Sequence, residues 1–238
     1  MEKQKILRQE LSIASVRDDT PDTKTFRFLA DVDYIPGQYF IISYKTLKEG
    51  MEKEIKRSYS LSSSPTEKGF LDFTIKLYPQ GEFTPLIFSK KPGEKFGLLG
   101  PIGKFVFDEN CKKVAFLGAG SGITPLRSMM KYCIDKKLPI DLVLLYSSKT
   151  PQDIIFREEF EVWNSIENVN CVNTITRPDG NVWEGQTGRI STDLVKKHVD
   201  VESSNFYICG PPEFVSNMVN ILRELKVPED KIRKEQWD

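Results

Sequence analysis

Residues 113–125, KVAFLGAGSGITP, constrain the fold more than any other stretch of this chain. Val114 to Leu117 is a continuous apolar run, the pattern of a strand buried on both faces. Leu126, Met129, Met130, Cys133 and Ile134 then recur on one face of a helix. A glycine-rich turn is thereby pinned between strand and helix, where unpaired backbone N–H groups and the positive end of the helix dipole can hold a phosphate. Gly118, Gly120 and Gly122 allow close approach, Thr124 ends the turn, and Pro125 suits a first helical turn. The expected guest is a pyrophosphate-bearing dinucleotide. A tight turn that merely needs small residues is the competing reading.

At 238 residues the chain is long enough for two domains with real cores. Its 34 basic and 34 acidic residues are intermixed, which argues against a nucleic-acid footprint or a polybasic membrane patch. No apolar run approaches a membrane span, and the N-terminal MEKQKILRQE lacks an apolar signal core, so a cytoplasmic location is expected. Cys111, Cys133, Cys171 and Cys209 show no CxxC spacing, against a metal, iron-sulfur or disulfide framework. The single histidine, His198, lies in the polar KKHVD and reads as a solvated helix residue. Histidine-based triads and metal sites are therefore poor candidates, and the chemistry should come from a bound cofactor.

The first hundred residues follow a period of two. Leu71, Phe73, Ile75 and Leu77 alternate with Asp72, Thr74 and Lys76, and Phe26 and Phe28 alternate with Thr25 and Arg27, as in half-buried antiparallel strands. Turn signals at residues 20–22, Pro36–Gly37, Ser64–Pro65 and Pro92–Gly93 punctuate them. A closed antiparallel barrel is expected. The charged segment 45–56, KTLKEGMEKEIK, reads as a solvated hairpin tip. The polar segment 108–112 marks a boundary, giving domains 1–108 and 109–238.

Within the first domain, RSYSLSS at 57–63 puts Arg57 and Tyr59 on one strand face and Ser58 and Ser60 on the other. A guanidinium matches a phosphate bidentately and a flat ring can stack on another, so the pair suits a nucleotide-like ligand with a planar head. A plain solvent face would look the same. GEFTPLIF, 81–88, follows a strand and opens a short helix. There the backbone N–H groups of Glu82, Phe83 and Thr84, with the Thr84 hydroxyl, can receive a second phosphate. An ordinary capped helix is the alternative.

PGQY, RSYS, GEFT, GPIGKF, GAGSGITP and CGPP, in this order and at these separations, resemble the ferredoxin-NADP reductase family of flavoprotein reductases. The match spans nearly the whole chain. It implies an N-terminal antiparallel Greek-key β-barrel binding flavin and a C-terminal α/β doubly wound parallel sheet binding NAD(P). It also implies that Arg57 contacts the flavin pyrophosphate, Tyr59 stacks on the isoalloxazine, and Ser60 hydrogen-bonds near the flavin N5. Ser58, Thr74, Ile75, Lys76 and Tyr78 would line the same site, and Gly81, Glu82, Phe83 and Thr84 would hold phosphate.

Beyond residue 112 the apolar runs become continuous, at 142–146 and 206–209, and alternate with helical patterns such as Val215, Met218, Val219 and Leu222. Three turns should converge at the carboxyl ends of these strands: 118–124, 147–150 and 209–212. The second reads SSKT, with Ser148 and Lys149 where an acidic residue would favour a free ribose diol, so NADPH is preferred over NADH. In the resembled family a serine and an arginine commonly act here, with a tyrosine under the adenine; Lys149 and Phe156 take those places. Cys209, before Gly210 and Pro211, is in isolation a core thiol. The resemblance makes it a residue facing the nicotinamide, positioning hydride donor against flavin without acting as a nucleophile. Glu235 and Trp237 match the family's terminal glutamate and aromatic, which stacks on the flavin and yields to nicotinamide, with Asp238 added after it. Covering the edge of the last strand is the simpler role for Trp237.

The expected protein is an NAD(P)H-dependent flavoprotein reductase using FAD in preference to FMN, without a metal site. Its reaction centre is expected where the two cofactors meet. It would pass electrons to a ferredoxin, flavodoxin or oxygenase component. The alternatives are a reductase of free flavin, ferric complexes or quinones, and a cofactor-binding module of a larger redox complex. The family's complex subunits often carry a cysteine-rich C-terminal cluster that this sequence lacks.

Overall fold

The computed structural model describes residues 5–48, 50–178, 180 and 182–237, so the first four residues, Glu49 of the charged tip and Asp238 lie outside the description. The chain divides into two compact units, residues up to Phe107 together with Arg127–Tyr132, and Asp108–Leu126 together with residues from Cys133 onward.

The first unit contains β1 (Leu7–Thr20), β2 (Thr23–Leu29), β3 (Tyr39–Lys48), β4 (Met51–Ser60), β5 (Phe70–Lys76), the short helix α1 (Phe83–Phe88) and β6 (Lys95–Ile102). Its antiparallel sheet runs β4-β3-β6-β1-β2-β5. β1 serves two ladders, pairing Leu7 to Ser12 with β6 and Ile13 to Thr20 with β2, and an irregularity between Ile13 and Ser15 lets it bend from one to the other. The sheet thereby curls around Phe26, Phe28, Phe40, Phe73, Phe83 and Phe96, all buried. Phe73 meets Phe28 at 5.9 Å and Phe40 at 5.8 Å, both edge-on, the geometry that aromatic quadrupoles favour.

One expectation needs correction here. The barrel is not closed by a ladder: β4 and β5 are the two ends of the strand order. The segment after β4 reaches β5 through bonds such as Ser62 N–H to Asp72 O, 2.9 Å. The alternating polar face is enclosed, since Thr25, Asp72 and Thr74 are 4%, 7% and 3% exposed. Asp72 is held bidentately by Arg27 at 2.7 Å and 2.7 Å. Thr74 pairs with Thr25 at 2.6 Å and donates to Ser62 Oγ at 2.8 Å. Alternation shows which residues share a face and not what covers that face, which here is a second, polar layer.

The second unit contains β7 (Lys113–Ala119), a 3₁₀ turn at Gly120–Gly122, α2 (Ile123–Asp135), β8 (Asp141–Ser148), α3 (Arg157–Trp163), β9 (Val169–Ile175), β10 (Gln186–Thr187), α4 (Thr192–His198), β11 (Asn205–Gly210), α5 (Pro212–Glu224) and β12 (Ile232–Gln236), the middle of α2 being counted with the first unit. The sheet is parallel, ordered β10-β9-β8-β7-β11-β12. Leu117, Leu145 and Ile208 pack with Val195 of α4 and Val215, Met218 and Leu222 of α5. On the other face Tyr146 meets Phe160 of α3 at 6.1 Å. Helices on both faces make this the expected doubly wound sheet, and they explain the continuous apolar strands. α2 is buried beyond its one apolar face, Ser128 and Thr124 included, because its polar residues also find internal partners.

His198 also departs from expectation. It ends α4 half-buried, with Nε2 enclosed and without a hydrogen-bond partner. Burial, reinforced by the Lys197 charge, pushes its pKa below the ordinary 6.5. The folded state therefore binds a proton less readily than the unfolded chain. Stability contributed by neutral His198 is present above the unfolded pKa and is lost as pH falls through the folded value. Because this is the only histidine, His198→Asn should flatten the dependence of Tm on pH between about 7.5 and about 5.5, the range in which histidine titrates. An unchanged slope in thermal melts would refute the assignment.

Candidate functional site

In the first unit the candidate residues gather at the open seam between β4 and β5. Tyr59 is half-buried, its ring 5.5 Å from that of Phe83. Burial pushes its phenol far above the usual range, opposed by the Arg57 charge, so it is a neutral ring. Arg57 is exposed and donates from Nη1 to the Lys56 carbonyl at 2.7 Å, a local bond that a stronger anion would displace. Ser58 is half-buried on the opposite face. Ser60 is 4% exposed, and its Oγ is enclosed without a hydrogen-bond partner. An orphaned buried hydroxyl costs about 1–3 kcal/mol, and a ring bearing hydrogen-bonding nitrogen and oxygen atoms would satisfy it.

On β5 the side chains of Thr74 and Ile75 are enclosed, Thr74 in the hydroxyl layer and Ile75 in the core. What this edge strand can still offer is backbone, since alternate N–H and C=O groups face away from β2. Lys76 is committed to Asp22 at 2.8 Å. Tyr78 is 64% exposed. Gly81 leaves it room, because an added Cβ would stand 3.1 Å from a Tyr78 ring carbon. The Thr84 hydroxyl donates to Tyr78 O and accepts from Tyr78 N–H, each at 2.9 Å. Glu82 pairs with Lys53 and Phe83 belongs to the core, so at α1 the groups that could meet an anion are the first-turn N–H groups of Phe83 and Thr84.

In the second unit the turn after β7 lies against the end of β11. A Cβ on Gly122 would stand 2.2 Å from Cys209 O and 2.6 Å from Gly210 N, so backbone packs directly on backbone. Gly120 has φ +52° with nothing near its absent Cβ, and its carbonyl accepts from Tyr146 Oη at 2.9 Å. Thr124 donates to Ser121 O at 2.6 Å, closing the turn, and buried Pro125 sits in the first turn of α2. On the neighbouring strand end, Ser148 is 5% exposed with an orphaned Oγ, and Lys149 is exposed. Asp153 is spent as a cap, accepting from Thr150 N–H and Oγ1 at 3.0 Å and 2.8 Å. Phe156 holds the strained left-handed conformation, φ 60°, before α3.

Cys209 is fully buried, beside Gly210 and Pro211, and β12 runs parallel to β11 with Cys209 opposite Glu235 and Gly210 opposite Gln236. Desolvation, then the Glu235 charge, pushes the thiol well above its ordinary range; hydrogen bonds from the Trp237 side chain and the Gly210 backbone oppose this without reversing it. The thiol is therefore held neutral, a poor nucleophile. Trp237 N–H reaches Gly210 O at 3.4 Å. Cys209, Glu235 and Trp237, distant in sequence, thus meet at one strand end. Among the described residues there is no metal-holding cluster of histidine, cysteine or carboxylate groups. Tyr146, which holds the Gly120 carbonyl, escaped the sequence reading because it acts through a tertiary partner.

Comparison with known proteins gives two family matches: an oxidoreductase FAD-binding domain over residues 10–107 and an oxidoreductase NAD-binding domain over residues 116–220. The chain is 34% identical over 176 residues to NADH-cytochrome b5 reductase 2 of Mycosarcoma maydis, covering 70% of this chain and 49% of that protein. It is 28% identical over 218 residues to a component of the Na(+)-translocating NADH-quinone reductase of Idiomarina loihiensis, covering 82% of this chain and 52% of the relative. The chain thus spans about half the length of these two relatives. Among solved structures, the ferredoxin reductase in carbazole 1,9a-dioxygenase matches with TM-score 0.85 and 26% identity, covering 98% of this chain and 70% of that one.

The contact at Gly122 separates steric from conformational demand. Gly122→Ala should cost about 3 kcal/mol by overpacking, whereas Gly120→Ala, which meets only left-handed strain, should cost about 1 kcal/mol. Denaturant midpoints of the two variants check this, and equal losses would contradict it.

Proposed function

Because the chain belongs to the ferredoxin-NADP reductase family, with its FAD-binding and NAD-binding domains, we propose that it is an NAD(P)H-dependent flavoprotein reductase serving an electron-acceptor protein. The observation that carries this reading is the enclosed, unpartnered Ser60 hydroxyl on the strand that bears Tyr59 and Arg57. Bound FAD would supply the chemistry, accepting a hydride and releasing electrons singly or in pairs. The chain's own residues then have defined tasks. Arg57 neutralises the flavin pyrophosphate, Tyr59 offers its neutral ring as a stacking face, and Ser60 holds a hydrogen bond near the flavin N5. The N–H groups at the start of α1 add a second anion contact. In the other unit the Gly118 to Gly122 turn receives the NAD(P)H pyrophosphate, and Cys209 orients the nicotinamide with a neutral thiol that neither attacks nor titrates.

Ser148 and Lys149 favour NADPH, through an orphaned hydroxyl and an exposed cation at the expected 2'-phosphate position. The acceptor class is a ferredoxin, flavodoxin or oxygenase component. Reduction of a quinone is the second reading, favoured by the likeness to a quinone-reductase component.

Purified protein loaded with FAD should show flavin absorbance that bleaches anaerobically on adding NADPH or NADH; an inert spectrum would refute a reductase. In the same assay Cys209→Ala should slow flavin reduction about tenfold, the scale of losing one positioning contact, while flavin stays bound. An unchanged stopped-flow rate would remove Cys209 from the site. Trp237 bonds to Cys209 and Gly210, groups assigned to nicotinamide. Deleting residues 236–238 should therefore tighten NADP⁺ binding about tenfold, the worth of one hydrogen bond with its packing. An unaltered dissociation constant would dismiss the tail as a competitor.

A further inference from the structure

Residues 60, 62, 63 and 64 are serines, 4%, 1%, 0% and 0% exposed, yet only one is left without a partner. Ser62 donates from its N–H and its Oγ to Asp72 O, at 2.9 Å and 3.0 Å, and accepts from Thr74. Ser63 Oγ accepts from Tyr34 Oη at 3.0 Å and from Asp72 N–H at 3.1 Å. Ser64 pairs with Thr66 Oγ1 at 2.6 Å, and its N–H donates to Glu67 Oε2 at 2.8 Å. A frame of satisfied serines therefore stands directly after the one orphan.

The carbonyls of that frame are held by two residues of the first unit that come from α2. Arg127 Nη1 donates to Ser62 O at 2.7 Å and to Glu67 Oε2 at 2.9 Å, so one nitrogen closes a ring through the carboxylate that also holds Ser64. Ser128 Oγ donates to Ser63 O at 2.6 Å. Both donors are enclosed, the Arg127 side chain at 12% and Ser128 at 0% exposure. A rotatable hydroxyl keeps one orientation only when the backbone carrying it cannot shift toward a local acceptor. Here the Ser62 and Ser63 carbonyls are both engaged, so the backbone is tied at consecutive carbonyls.

We propose that Arg127 and Ser128 are positioning residues that fix the Ser62 and Ser63 carbonyls and thereby aim the Ser60 hydroxyl at the flavin. This rests on the reading of RSYS as the flavin-binding strand. Neither residue touches the flavin; both act through Ser60.

The test titrates FAD into apo-protein by fluorescence quenching and measures the midpoint potential of the bound flavin, for wild type, Ser60→Ala, Arg127→Met and Ser128→Ala. Arg127→Met should bind FAD about tenfold more weakly, as expected for loss of one charge-assisted bond. Its potential should shift in the same direction as in Ser60→Ala, and added guanidinium at low concentration should restore affinity. Ser128→Ala should show a smaller shift of the same sign. Amide exchange across 60–64 should quicken in both variants while β1 and β2 stay protected. If Arg127→Met does not fold, Ser128→Ala and Glu67→Gln carry the same comparison. Wild-type affinity and potential in the Arg127 and Ser128 variants, with Ser60→Ala shifted, would overturn the positioning role and leave the flavin strand standing. A wild-type protein that binds no FAD, or a Ser60→Ala potential equal to wild type, would overturn both.

Discussion

The tightest constraint in the second unit is steric: the backbone of Gly122 lies where a methyl group would stand 2.2 Å from the Cys209 carbonyl oxygen. It sets the glycine turn against the end of β11 and keeps the α2 N-terminus at the strand ends. It also lets Tyr146 reach the Gly120 carbonyl from the next strand. A side chain at Gly122 would open the turn and spoil the convergence of N–H groups on which the proposed anion binding depends. The local demand for glycine is therefore about backbone meeting backbone, whereas at Gly120 it concerns conformation.

The first unit is governed by a different device, a polar layer against an aromatic core. Thr25, Thr74, Ser62, Ser63, Asp72, Arg27 and Tyr34 form a connected set in which donors and acceptors are matched. Such layers are stable only when complete, because a single unmatched buried group forfeits its hydration without return. Ser60, next to this layer and outside it, is the exception, and the proposed flavin would supply the partner it lacks. The same logic applies to Ser148 at the end of β8.

Much of this was legible in the chain. Alternation at residues 25–28 and 71–77 gave antiparallel strands, and the unbroken apolar runs at 114–117 and 142–146 gave a sheet covered on both faces. Six short motifs in fixed order implied the family. One reading failed for a physical reason. His198 looked like a solvated helix residue, yet its Nε2 is enclosed by segments that periodicity does not see.

Order and spacing by themselves determined the two pattern regimes and the strand-turn-helix at 113–125, because these depend on local geometry. Only the folded chain decided which of four neighbouring serines stays unpartnered, that the barrel seam is open, that Glu235 and Trp237 stand beside Cys209, and that Arg127 and Ser128 grip the serine segment after β4. The physical reason is that a hydrogen bond between distant residues is set by sheet order and register, which no local pattern encodes.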